Sequence, residues 1–115
     1  MTYLRNYLLI GLFPLFTFVI ACSPSILPPL QSDVPPAKEK WNDVTFEQLS
    51  QGYKLYTTKC GKCHYLHKPD KFSEGKWREG IEMVQDKAKI DSLQKELIIR
   101  YLLISKETHS YLKDK

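Results

Sequence analysis

Cysteine occurs three times, methionine twice and glycine five times in these 115 residues. Three cysteines are too few for the disulfide framework on which many small exported domains rely. No strand-like alternation of apolar and polar residues and no hairpin turn stands out, which argues against a sheet. Also lacking are a nucleophile paired with a base, a glycine loop for phosphate and a second cluster of metal ligands, so no catalytic residue is named and an enzyme is not expected. Charge is nearly balanced, 17 Lys and Arg against 13 Asp and Glu. That mild excess calls for no nucleic-acid partner, and nothing in the sequence calls for a small-molecule substrate.

The informative residues are five in a row, Cys60-Gly61-Lys62-Cys63-His64. They spell the attachment signature of c-type haem. Two thiols three positions apart lie on one side of a helical turn, where each can add to a haem vinyl group, and the adjacent imidazole can serve the iron as proximal ligand. Spaced cysteines also bind zinc, and Cys60, Cys63, His64 and His67 offer four N/S ligands. Four ligands crowded into so short a stretch, behind an export signal, make zinc the weaker reading.

The export signal is at the N-terminus. Arg5 precedes an uncharged apolar run, Leu8 to Ile20, and then the small residue Ala21. Pro14 interrupts the run, and the polar, proline-rich stretch beyond Cys22 continues no span, so removal as a signal peptide (residues 1–21) is expected rather than retention as a transmembrane helix. Val19-Ile20-Ala21-Cys22 resembles the lipobox of bacterial lipoproteins, whose cysteine is acylated. Cys22 is therefore the expected lipid attachment site, the alternative being an unmodified cysteine near an ordinary cleavage site. With Cys22 taking lipid and Cys60 and Cys63 taking haem, no cysteine remains for a disulfide. Several acyl chains would give stable membrane attachment where one is marginal.

Removing residues 1–21 leaves 94 residues, with 16 basic against 13 acidic side chains. Five prolines between Ser23 and Lys40 suggest that residues 22–40 form a lipid-anchored, extended tether, partly polyproline II, able to lift the domain up to ~50 Å from a bilayer. The domain is expected over residues 41–115. Its first helix opens at Thr45, with Gln48 completing a capping box, and runs to about Lys59, placing Phe46, Leu49, Tyr53 and Tyr56 in one stripe. Gly52 beside that stripe permits close approach of a partner helix. A second helix starts from Ser73 and runs to about Gln85, with Trp77, Ile81 and Val84 on one face. A third opens at Asp91 with Gln94 and carries a wide apolar face of Leu93, Leu97, Ile98, Tyr101, Leu102 and Ile104. So small a core needs a staple, which covalent haem would supply.

From Leu49 to Leu103 the chain resembles a small bacterial class I cytochrome c. The resemblance is carried by Leu49, Gly52, Tyr53 and Tyr56, then Cys60, Cys63, His64 and Pro69, then Trp77, Met83, Lys87, Ala88 and the Tyr101-Leu102 pair. It implies an all-α fold of about three helices around one covalently attached haem c. It also implies a first-helix glycine and aromatic packed on an aromatic of the last, a proline carbonyl accepting from the proximal imidazole, and a methionine completing the iron's coordination. Met83 stands where that methionine should be. Independently, Met83 is the one thioether left once Met1 departs; His109, His67 or no protein ligand are the other readings. Trp77 could reach the haem edge or a propionate through its indole N–H, or simply fill the core.

With His64 and Met83 as ligands the iron would be closed to substrate and left to cycle between two oxidation states. The expectation is electron transfer by a membrane-anchored monohaem cytochrome, with unidentified redox partners as donor and acceptor. Lys59, Lys62, Lys68, Lys71 and Lys76 suggest a basic rim for an acidic partner. Alternatives are a five-coordinate haem sensor or gas-binding module, and a haem subunit docked in a larger oxidoreductase. Ser23 after the lipid cysteine lacks an inner-membrane retention aspartate, so the expected place is the outer membrane, facing the periplasm.

Overall fold

The proline-rich stretch departs most from expectation. The structure is a computed structural model that describes residues 26–109; the signal-like run and Cys22 lie outside the described residues. A 3-10 turn, Gln31–Asp33, leads directly into helix α1, Val34–Lys40. Pro35 and Pro36 fall in the first turn of α1, where a missing N–H breaks no intrahelical bond and the fixed φ is already helical. The expected extended tether is thus corrected over this part. Ala37 is fully buried beside Val44, Leu49 and Ile104, and Lys40 pairs with Glu107, so α1 lies on the domain.

Three longer helices come after it, and the described residues contain no strand, in keeping with the expected all-α class. Helix α2, Phe46–Leu55, opens with the reciprocal Thr45–Gln48 capping box. Helix α3, Glu74–Ala88, is capped by the Ser73 hydroxyl and runs three residues beyond the expected end. It stops where Lys89 turns left-handed, at φ 54°, and the amides of Lys89 and Ile90 return to the carbonyls of Asp86 and Gln85. Helix α4, Ser92–Thr108, opens with the Asp91–Gln94 box.

Helix α4 is the hub. Residues 97–99 and 101–105 are all buried, so its apolar surface reaches α1, α2 and α3, as a helix apolar nearly all round must. Leu93, expected in that face, is instead exposed. Gly52 is where α2 crosses closest: a Cβ there would stand 2.1 Å from the Leu97 carbonyl oxygen and 2.9 Å from Tyr101 Cβ. The next residue, Tyr53, meets Tyr101 edge-on, ring centroids 5.4 Å apart. No described helix is long and apolar enough to cross a membrane.

Candidate functional site

The cysteine motif sits at the end of α2 because the helix widens there. Tyr56–Cys60 continues α2 as a single π turn, a form that recurs where a helix must re-aim side chains. Thr57 Oγ1 donates to the Tyr53 carbonyl at 3.0 Å and Thr58 Oγ1 to the Lys54 carbonyl at 2.7 Å, serving carbonyls whose α-type partners the wider turn displaces. Gly61 then allows the chain to fold tightly, since a Cβ would lie 2.5 Å from the Thr57 carbonyl oxygen.

Cys60, Cys63 and His64 all line one pocket of about 450 Å³, inside the ~300–1,000 Å³ range of small-molecule and cofactor sites. Buried Tyr56 and Trp77 also line it, with His67 and Phe72 from the adjoining loop. Helix α3 contributes Gly80, Ile81, Val84 and Ala88, and the charged lining is Lys59, Lys76 and Lys87. The stripe Trp77, Ile81, Val84 expected on α3 is therefore the face turned to the pocket.

Three helices pin the loop after the motif by donating to its carbonyls. Tyr56 Oη donates to His67 O at 2.6 Å, Trp77 Nε1 to Pro69 O at 2.9 Å, and Lys106 Nζ to Phe72 O at 3.0 Å. Rings carry the same order: His67 meets Phe72, and Phe72 meets Trp77, each edge-on at 5.1 Å. These bonds bear on two of the readings above. The Pro69 carbonyl accepts from the Trp77 indole rather than from the imidazole, and that indole N–H is thereby engaged within the protein. His64 uses a nearer partner, with Nδ1 2.7 Å from the Tyr65 carbonyl oxygen. A proton on Nδ1, donated there, leaves Nε2 with the lone pair a metal requires.

Cys60 and Cys63 are free thiols, the first half-buried and the second exposed. Burial, with the neighbouring Cys63 as a lesser cause, pushes the Cys60 thiol above its ordinary range, so it stays protonated at neutral pH. Tyr56 is also raised, by burial first and by Cys60 second, against the opposing hydrogen bond to His67.

Met83 is not brought to this site. Its side chain is 79% exposed and outside the lining, although Gly80, Val84 and Lys87 around it on α3 all line the pocket. His109 is elsewhere too, at the end of α4, with Nδ1 2.9 Å from Ser105 Oγ and Nε2 3.3 Å from Asp33 Oδ2. Of the residues weighed as partners to His64, His67 alone shares its pocket, with ring centroids 5.7 Å apart. Among the described residues no three His, Cys, Asp or Glu side chains converge to hold a metal ion. Phe72 was passed over in the sequence. The signal for it was an aromatic just before the Ser73 cap and five residues before Trp77, the spacing of a hydrophobic staple.

No family model, curated protein or solved structure matches this chain. Two thiols and an imidazole with a free Nε2, at an apolar pocket of cofactor size, fit a covalently attached porphyrin.

Proposed function

We propose that this chain is a membrane-anchored monohaem c-type cytochrome that passes single electrons between a protein donor and a protein acceptor. The observation that carries the reading is the meeting of Cys60, Cys63 and His64 at one apolar pocket. Cys60 and Cys63 would hold the porphyrin, and His64 Nε2 would ligate its iron. Bound there, haem supplies one-electron cycling between Fe(III) and Fe(II). The chain's own residues orient and shield. Tyr56, Trp77 and Lys106 fix the loop carrying His67, while Phe72, Trp77 and Ile81 give the pocket an apolar wall. Lys59, Lys76 and Lys87 give the pocket a basic border suited to an acidic partner.

A class I cytochrome c-like arrangement is the finer fold we propose. It is supported by Gly52 and Tyr53 against Tyr101, with the attachment motif directly after that crossing. Export, acylation of Cys22 and placement on the outer membrane facing the periplasm belong to the same proposal. A second reading, a five-coordinate haem sensor or gas-binding module, draws on the exposure of Met83 outside the pocket.

The full chain, co-expressed with a haem-attachment system, tests both readings through its optical spectra. Covalent haem that survives denaturation and is lost in Cys60→Ser/Cys63→Ser is expected. A low-spin ferric spectrum, inert to carbon monoxide when reduced, supports electron transfer, and loss of its sulfur-to-iron band in Met83→Ala would assign the second ligand. A high-spin spectrum with ready carbon monoxide binding, unchanged in Met83→Ala, favours the sensor. Protein without haem refutes both.

A further inference from the structure

Ten residues, 23–32, lie between Cys22 and the next charged residue, Asp33, and none of them is charged. From Ile26 onward this segment is a strap fastened to the domain. The Leu27 carbonyl accepts from the Tyr101 hydroxyl at 2.7 Å, Pro29 is buried, and the Leu30 amide donates to Asp33 Oδ2 at 2.7 Å. Asp33 itself is only 2% exposed and faces His109 Nε2. The strap's first charge is thus hidden inside the protein, yet Leu27 and Leu30 leave their side chains 38% and 56% exposed. Exposed leucines on an uncharged strap gain nothing in water and suit the boundary between lipid headgroups and acyl chains. Cys22 is four residue steps before Ile26, at most ~14 Å of extended chain. A lipid on Cys22 would therefore bring these leucines within reach of the bilayer that holds it.

We infer that Leu27 and Leu30 form a membrane-contact surface that rests the domain on the lipid face, in place of a free swing on a long tether. The inference rests on the acylation of Cys22 included in the proposed function. Its partner is the bilayer surface, recognised through apolar burial without a charged group on the strap to oppose it.

The test is neutron reflectometry on the full acylated chain in a supported bilayer of phosphatidylethanolamine and phosphatidylglycerol, beside Leu27→Gln/Leu30→Gln. Both side chains are exposed and their hydrogen bonds are made by backbone atoms, so the variant should keep its helical circular dichroism. Wild type should abut the headgroups, and the variant should open a water layer of up to ~14 Å. A wild type already standing off, or a variant with the same profile, overturns the inference. Self-association of wild type that disappears in the variant would assign the leucines to a contact between copies and overturn it as well. Mass spectrometry of the Cys22 peptide separates the two levels. An acylated chain that stands off defeats this inference alone, whereas an unacylated chain that does not bind defeats the anchor too.

Discussion

At the scale of single residues, the smallest side chain carries the tightest constraint. A methyl group at position 52 would meet the backbone of α4 at Leu97, which cannot yield as a flexible side chain could. Gly52→Ala should cost about 2–3 kcal/mol by overpacking, lowering the thermal midpoint by roughly 10 °C, as read by circular dichroism. Trp77→Phe keeps the ring packing but removes the donor to Pro69. About 1 kcal/mol should be lost, and faster hydrogen exchange at the Lys71 amide would locate that loss in the loop. Gly52 was legible in the sequence because it stands beside an apolar stripe, where a missing side chain lets a partner helix come close. Met83 was less legible, for a physical reason. The resemblance and the count of thioethers both pointed to it, whereas the stripe Trp77, Ile81 and Val84 is the face that turns to the pocket and leaves position 83 to one side.

Helix starts were the most legible elements. Thr45 with Gln48, Ser73, and Asp91 with Gln94 each act as caps where their spacing predicts, because capping depends on a few neighbouring atoms and little on the tertiary fold. Helix α1 was not legible: prolines suit an extended tether and a first helical turn equally, and the choice was made by distant Leu49 and Ile104 burying Ala37. The π turn was equally hidden, being one extra residue in a stretch that reads as continuous helix. Its role can be isolated. Deleting Thr58 should restore α spacing and rotate Cys60, Cys63 and His64 together by roughly 100° about α2. Helix content by circular dichroism should persist while covalent haem, measured on denaturing gels, falls sharply; attachment at the wild-type level would show that the widened turn does not aim the thiols.

For the whole molecule, two buried phenols set an alkaline limit. Burial is the leading cause that raises both Tyr56 and Tyr101 above their ordinary value. Neighbouring Cys60 adds to the shift at Tyr56; Tyr53, Tyr56 and Asp33 add to it at Tyr101, against a lowering hydrogen bond with Ser105. The folded state thus holds these protons more firmly than the unfolded chain does. Stability from this source is complete below the unfolded value near 10 and is lost as pH rises past it. Denaturant midpoints should hold level up to about pH 10 and then fall, and Tyr101→Phe should flatten the fall; a midpoint unchanged toward pH 12 would contradict the assignment. The contact of Asp33 with His109 has a further consequence. It holds the end of α4 against the residue just before α1, closing residues 33–109 into a ring. A fluorescent label at position 109 itself would thus sit beside the foot of the N-terminal strap and report on the surroundings of that foot.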